Sequence, residues 1–155
     1  MAIAYIGIGS NLGRRRENCK RAVALLSENG IRVRRLSSMI ETEPWGLREQ
    51  PKFINMAVEI ETEATPRELL RLLKNIEAAI GRQPSVRMGP RLIDLDILMY
   101  DDLCVRTPDL EIPHPGIKHR DFVLRPLAEI APDTIHPVYK KTIRHLLDNL
   151  SPPRP

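Results

Sequence analysis

The stretch GPRLIDLDILMY, residues 89–100, predicts a β-strand with two carboxylates in its middle, because its apolar residues alternate. Four apolar side chains share one face of the predicted strand: Ile93, Leu95, Ile97 and Met99. Asp94 and Asp96 then lie side by side on the other face, about 6.5 Å apart, and repel by roughly 2.5 kcal/mol at an effective dielectric of about 20. A Mg²⁺ ion, held by one or two carboxylates and by substrate phosphates, would relieve this repulsion. A strand whose second face is simply solvated is the alternative.

The composition predicts a single domain spanning residues 1–155, large enough to bury roughly 70% of its unfolded surface. Its 24 Lys and Arg residues against 20 Asp and Glu residues leave a net charge of +4. This modest surplus suits a polyphosphate ligand at least as well as a nucleic acid. Because only 4% of the residues are aromatic, a base-stacking surface is disfavoured and we expect no nucleic-acid partner.

Cysteine use and hydropathy point to a cytoplasmic protein. Cys19 falls on a helical apolar stripe with Ala22 and Leu26, so it is interpreted as a core residue, and Cys104 is the second of two thiols. Residues 1–5 include no basic leader, and no apolar run approaches the ~18 residues that a membrane span needs. We therefore expect no membrane partner.

Upstream of the Asp-bearing strand, the pattern gives the order β-α-β-β-α-β. The predicted elements are a strand over 2–9, a helix to about residue 28, strands over 31–43 and 53–62, and a helix ending at Gly81. The last helix has a strong start, since Thr65 is a good N-cap, Pro66 suits the first turn and Glu68 completes a capping box. This order predicts an α+β, modified ferredoxin-like sandwich, with both helices packed on one face of an antiparallel sheet.

Beyond Tyr100 the chain is rich in proline and is expected to form a C-terminal extension that wraps the sheet. Loops and short helices near residues 124–130 and 142–150 are predicted there. Residues 151–155 are expected to be a frayed tail.

Basic residues flank the two carboxylates in the sequence. They are Arg82, Arg87 and Arg91 before the strand, and His114, Lys118, His119 and Arg120 after it. The planar guanidinium group matches phosphate oxygens in pairs, so this cluster fits a site for a metal and a polyphosphate. The alternative is a solvated basic loop.

Two further patterns bear on the ligand. The sequence GIGSNLG, residues 7–13, lies between a strand and a helix, but its spacing differs from the G-x-G-x-x-G fingerprint, which disfavours a Rossmann domain. Phe53 and Asn55 are two residues apart on one strand and face the same way, as a planar heteroaromatic ligand would require. A core phenylalanine beside an asparagine at a strand end is the simpler interpretation of these two residues alone.

Six segments together carry a family resemblance that covers nearly all of the chain to about residue 132. They are AYIGIGSNL at 4–12, TEPWG at 42–46, QPKFIN at 50–55, GPRLIDLD at 89–96, IPHP at 112–115 and RDFVLRPL at 120–127. In this order they resemble the 6-hydroxymethyl-7,8-dihydropterin pyrophosphokinase family, folate-pathway enzymes that move a pyrophosphoryl group from ATP to a pterin alcohol. The resemblance implies the same modified ferredoxin-like fold.

The resemblance also implies roles for individual residues. Asp94 and Asp96 would hold two Mg²⁺ ions that bridge the ATP phosphates, and Asp94 would orient the pterin hydroxyl for attack on the β-phosphorus, with AMP as the leaving group. Arg82 and Arg91 would join them as catalytic residues. The implied ATP-binding residues are Lys74, Glu77, Arg82, Arg87, Arg91, His114 and Arg120. The implied pterin-binding residues are Thr42, Glu43, Trp45, Phe53, Asn55, Asp94 and Phe122.

Two other functions remain open at the level of sequence. A noncatalytic phosphate- or nucleic-acid-binding module on the same fold would need aromatic and basic residues on the sheet surface, and the carboxylate pair, expected to be buried, opposes it. A pterin- or nucleotide-binding protein with reduced turnover is the second alternative. The expected partners are ATP and a reduced pterin alcohol, and a monomer is favoured over an oligomer.

Overall fold

An antiparallel five-stranded sheet places the Asp-bearing strand at one edge. The computed structural model describes residues 1–43, 51–81 and 92–150. The strands of this sheet are β1 (Ala2–Ser10), β2 (Arg32–Leu36), β3 (Ile40–Thr42), β4 (Phe53–Thr62) and β5 (Asp94–Tyr100). Their order is β2-β4-β1-β5, and β3 also pairs with β4, beside Phe53. The α+β, ferredoxin-like prediction is confirmed.

Two helices cover one face of the sheet, as predicted: α1 (Arg15–Glu28) and α2 (Pro66–Ile80). Cys19 of α1 is fully buried. The capping box at the start of α2 is present, because the Thr65 hydroxyl accepts from the Glu68 N–H while the Glu68 carboxylate accepts from the Thr65 N–H. Gly81 ends α2 with a φ of 101°, a left-handed conformation that glycine adopts without steric cost.

The C-terminal extension covers the other face with α3 (Asp121–Ile130) and α4 (Ile143–Asp148). Both helices fall where short helices were predicted, while the predicted tail at 151–155 lies outside the described residues. A hairpin of β6 (Val105–Thr107) and β7 (Leu110–Ile112) was missed, because strands of three residues around Pro108 carry too little alternation to be distinguished from a loop. A single 3₁₀ turn, Ile117–His119, precedes α3.

The prediction of one strand over residues 31–43 was wrong. β2 and β3 pair with successive parts of β4, and residues 37–39 between them leave the regular ladder. The reason is local hydrogen bonding: the Ser37 hydroxyl accepts the Ala57 N–H at 2.8 Å, while the Ser38 N–H and hydroxyl both donate to the Glu129 carboxylate of α3. Serine side chains here replace backbone partners and turn the chain.

A bulge in β5 also changes the predicted faces. Ile97 pairs with Ile6 and Met99 with Tyr5, so Leu98 is an extra residue in the ladder. Met99 therefore joins Tyr5 and Leu98 in the core under α3, instead of sharing the face of Ile93, Leu95 and Ile97. The strand keeps its alternation before the bulge, where both aspartates lie.

Within the described ranges, the helices are all too short or too polar to span a lipid bilayer.

Candidate active site

The register of three strands puts the candidate ligand residues on one face of the sheet. Gly9 of β1 pairs with Asn55 of β4 on one side and with Asp94 of β5 on the other. Residues paired directly across antiparallel strands project to the same face. Asn55, Gly9 and Asp94 thus form one row across the three strands. Asp96 pairs with Gly7 in the neighbouring row on the same face.

Gly9 allows two neighbouring side chains to approach the centre of this row closely. A Cβ at Gly9 would lie 2.8 Å from Oδ1 of Asn55 and 3.6 Å from Cδ1 of Phe53. Real side chains essentially never approach so closely, so glycine is what lets the Asn55 amide and the Phe53 ring adjoin the β1 backbone. The Asn55 amide therefore lies against the β1 backbone at Gly9, and Asp94 flanks Gly9 on the other side.

The structure brings together three residues predicted to bind pterin. Nδ2 of Asn55 donates to Oγ1 of Thr42 at 2.6 Å, and Thr42 pairs with Phe53 across β3 and β4. This bond fixes the orientation of the Asn55 amide. Glu43 follows Thr42, and its exposed carboxylate lies 3.4 Å from Nζ of Lys52.

Phe122 stands at the start of α3. The Arg120 guanidinium lies 5.8 Å from the centre of its ring, within cation–π distance. Phe122 therefore adjoins a residue predicted to contact phosphate. Four predicted site residues lie outside the described residues: Trp45, Arg82, Arg87 and Arg91.

The two carboxylates differ in burial. Asp94 is partly buried and Asp96 is exposed, so the expectation of a buried carboxylate pair was wrong. The reason is position, since β5 is an edge strand and Asp96 faces a cleft. In residues 1–43, 51–81 and 92–150, no cluster of three or more His, Cys, Asp or Glu side chains is arranged to hold a metal. A pair of carboxylates suits Mg²⁺, which keeps several waters and takes the rest of its ligands from substrate phosphates.

A cleft of about 290 Å³ extends from Asp96 along β5 toward the β6–β7 hairpin, and His114 and Lys74 line it as well. Burial lowers the pKa of His114, the Asp96 carboxylate opposes that change, and the Arg120 guanidinium adds to it. Nδ1 of His114 accepts the Gly116 N–H at 3.0 Å. The ring is accordingly neutral near pH 7 and carries its proton on Nε2, where it is a hydrogen-bond donor.

Glu77 of α2 binds the backbone of β5. Its side chain is buried, Oε2 accepts the Leu95 N–H at 2.9 Å, and Oε1 lies 3.4 Å from Nζ of Lys74. This contact satisfies a strand-edge N–H between the two aspartates. The sequence predicted a place for Glu77 on the nucleotide side but missed this bond. The available signal was its spacing from Leu73, since residues four apart share one face of a helix and Leu73 belongs to the buried stripe of α2.

Solved structures share this fold. The chain matches a Plasmodium falciparum HPPK-DHPS structure with pteroate at a TM-score of 0.77, over 95% of this chain and 42% of that one, with 18% identity. A structure described as HPPK-DHPS in complex with substrates gives a TM-score of 0.76 at 17% identity, over 95% of this chain and 43% of that one. At these identities the likeness establishes the fold alone.

Sequence comparison establishes the family. The profile of 7,8-dihydro-6-hydroxymethylpterin-pyrophosphokinase (HPPK) matches residues 5–132. The 2-amino-4-hydroxy-6-hydroxymethyldihydropteridine pyrophosphokinase of Bacillus subtilis is 49% identical over 129 residues, 83% of this chain and 77% of that protein. The protein of the same name from Aquifex aeolicus is 40% identical over 144 residues, 93% of this chain and 89% of that protein.

A longer relative contains a similar region. The folic acid synthesis protein fol1 of Schizosaccharomyces pombe is 42% identical over 149 residues, which are 96% of this chain and 20% of fol1. The chain thus spans about a fifth of that protein.

These matches identify the chain as an enzyme of folate biosynthesis that transfers pyrophosphate. Within that class, the chain belongs to the 7,8-dihydro-6-hydroxymethylpterin-pyrophosphokinase family.

Proposed function

We propose that the chain transfers the pyrophosphoryl group of ATP to 6-hydroxymethyl-7,8-dihydropterin, giving AMP and the pterin diphosphate, on the face formed by β4, β1 and β5. The observation that carries this proposal is the row of Asn55, Gly9 and Asp94. An amide beside the backbone suits the edge of a flat heteroaromatic ring, and the carboxylate in the same row suits a reacting hydroxyl and a metal. A cytoplasmic location and a monomeric state stay predictions.

The pterin ring would lie against Gly9. Asn55 would hydrogen-bond the edge of the ring, with its amide held by Thr42, while Phe53 or Phe122 stacks on the ring. Glu43 and Trp45 complete the proposed pocket. Since an amide has both a donor and an acceptor, it can select a heteroaromatic edge over a hydrocarbon one.

Asp94 and Asp96 would hold two Mg²⁺ ions. Two neighbouring carboxylates, one partly buried and one exposed, fit this role, because Mg²⁺ takes many of its ligands from water and substrate phosphates. When bound, the ions would offset the negative charge of the ATP phosphates and polarise them. Asp94 also adjoins the pterin surface, so its carboxylate can accept a hydrogen bond from the pterin hydroxyl and orient it.

ATP would occupy the cleft beside Asp96. His114 would donate from Nε2 to a phosphate oxygen, and Arg120 would neutralise phosphate charge, together with Arg82, Arg87 and Arg91. Lys74 lines the α2 side of the same cleft, and the buried Glu77 carboxylate contacts its ammonium group. In such a transfer the protein supplies positioning and charge neutralisation more than covalent chemistry.

Product analysis tests the reaction. Wild-type protein incubated with ATP, Mg²⁺ and the reduced pterin alcohol should give AMP and a new pterin diphosphate in the ³¹P NMR spectrum, in equal amounts. A reaction without protein is the control. ADP as the main product, or ATP that stays intact while the pterin binds, would contradict the proposal.

Gly9→Ala tests the ring surface. The added Cβ would stand 2.8 Å from Oδ1 of Asn55, so it should displace the amide and fill the floor of the pocket. We expect the KM for pterin to rise about tenfold, which corresponds to about 1.4 kcal/mol, with little change in the KM for ATP.

Gly30→Ala is the matched control, because a Cβ at Gly30 would meet no atom within 4 Å, although the φ of this residue is +83°. It should cost roughly 1–2 kcal/mol of stability without changing either KM. Equal effects of the two substitutions on the KM for pterin would remove Gly9 from the pocket.

A further inference from the structure

We propose that Asn18 of α1 is a positioning residue for the carboxylate strand: its side-chain amide holds the backbone of Leu92 and thereby fixes where Asp94 stands. The inference rests on the proposed role of Asp94. It concerns a residue outside both substrate pockets.

The Asn18 amide joins two distant parts of the chain. Its Nδ2 donates to Oγ of Ser10 at 3.2 Å and to the carbonyl oxygen of Leu12 at 3.1 Å, at the end of β1 and just after it. The same nitrogen lies 3.2 Å from the carbonyl oxygen of Leu92, 74 residues away in sequence. Two N–H bonds are thus shared among three acceptors, and they tie the end of β1 to the beginning of β5.

The Leu92 side chain lies beside two glycine turns. A Cβ at Gly13 would lie 3.3 Å from one of its methyl carbons, and a Cβ at Gly81 would lie 3.7 Å from the other. Both glycines have positive φ, +70° at Gly13 and +101° at Gly81. Two tight turns therefore flank the side chain, while Asn18 holds the carbonyl group of the same residue.

Leu92 lies two residues before Asp94, and the residue between them, Ile93, is fully buried. Such a short and anchored connection transmits a shift of the Leu92 carbonyl to Asp94. On the other side of Asp94, the Leu95 N–H is held by Glu77. Asp94 is thus bracketed by one side-chain bond before it and one after it, which fixes its position in the row with Gly9 and Asn55.

The consequence is catalytic. Groups that hold reacting atoms lose efficiency steeply when displaced, and a 1 Å shift can cost about a hundredfold in rate. Removal of the Asn18 amide should therefore lower kcat and raise the Mg²⁺ concentration for half-maximal rate. It should leave the pterin surface at Gly9 and Asn55 in place.

The experiment compares Asn18→Ala with Asn29→Ala. Asn29 is a matched control because its Nδ2 also donates to a backbone carbonyl, that of Leu25 at 2.7 Å, but it lies at the exposed end of the same helix. We expect Asn18→Ala to lower kcat by about ten- to a hundredfold and to raise the half-saturating Mg²⁺ concentration. We expect its KM for pterin to stay within about twofold of wild type. Asn29→Ala should match wild type in kcat, in half-saturating Mg²⁺ concentration and in KM for pterin.

Amide hydrogen exchange on the protein without ligands gives a second, activity-independent readout. Asn18→Ala should speed exchange at Leu95 and Asp96, and Asn29→Ala should not. Asn18→Gln keeps the amide on a longer arm and should restore part of the lost kcat. If Asn18→Ala does not fold, the kinetics of Asn18→Gln test the inference alone. Its displaced amide should still lower kcat without changing the KM for pterin.

The inference is overturned if Asn18→Ala lowers the melting temperature but leaves kcat, Mg²⁺ dependence and hydrogen exchange in β5 unchanged. If Asn18→Ala does not fold, a wild-type kcat in Asn18→Gln overturns it instead. Failure of the proposed function looks different, because wild-type protein itself would then form no AMP.

Discussion

Asp94→Asn and Asp96→Asn are each expected to lower kcat by about a thousandfold or more, equivalent to about 4 kcal/mol of transition-state stabilisation. Each substitution keeps the shape of the side chain and removes the charge that would hold Mg²⁺ against the ATP phosphates. The fold should persist, since Asp96 is exposed, Asp94 is only partly buried, and removing one of two neighbouring like charges relieves repulsion. Steady-state kinetics at saturating ATP, with circular dichroism to verify folding, measures both effects.

Asp102→Asn is the matched control. Asp102 is an exposed carboxylate in the turn just after β5, away from the row with Gly9. It should retain wild-type kcat and Mg²⁺ dependence. If either site variant works at a near-normal rate across a Mg²⁺ titration, that aspartate is not a metal ligand.

Arg120→Ala is expected to lower kcat/KM for ATP by about ten- to a hundredfold. A charge-assisted hydrogen bond to phosphate contributes roughly 1.5–3 kcal/mol, which sets this range. Arg120→Lys should recover only part of the loss, because an ammonium group lacks the paired N–H donors of guanidinium. Initial rates over a range of ATP concentrations separate the effect on binding from the effect on turnover.

Arg125→Ala tests whether charge alone matters. Arg125 is exposed on α3, where its guanidinium lies 4.0 Å from the Asp121 carboxylate. Exposed pairs of this kind contribute little, so its kinetics should match wild type. Equal losses in the Arg120 and Arg125 variants would indicate a general effect of basic charge on ATP attraction, not a phosphate contact at Arg120.

Local chemistry explains which elements could be predicted. The bounds of β4 and the capping box of α2 follow from short-range signals: alternation between Phe53 and Thr62, and the spacing of Thr65, Pro66 and Glu68. The stop of α1 near Gly30 is of the same kind. Each of these features depends on residues a few positions apart, so the local sequence alone is enough to predict it.

Features set by distant partners could not be predicted. The break between β2 and β3 depends on Ser38 meeting Glu129, 91 residues away. The bulge at Leu98 depends on the register with Tyr5 and Ile6 of β1. Neither partner is visible in the local pattern, and both features change which face a side chain joins.

The candidate site shows the same division. The pattern of Asp94 and Asp96 is local and was visible as alternation, and their roles followed from family resemblance. The contribution of Gly9 was not visible, because a glycine in a strand gains meaning only when Asn55 and Asp94 are known to flank it. The Asn18 bond to Leu92 likewise joins residues 74 positions apart.

Asp94 and Asp96 are proposed to hold the metal ions between ATP and the pterin hydroxyl. A crystal structure with Mg²⁺, a nonhydrolysable ATP analogue and the pterin alcohol would test this assignment. We expect two Mg²⁺ ions bound by the Asp94 and Asp96 carboxylates and by the phosphates, with the pterin against Gly9 and its hydroxyl in line with the β-phosphorus. Metal ions held away from both aspartates, or a pterin bound elsewhere than the row of Asn55, Gly9 and Asp94, would contradict this assignment.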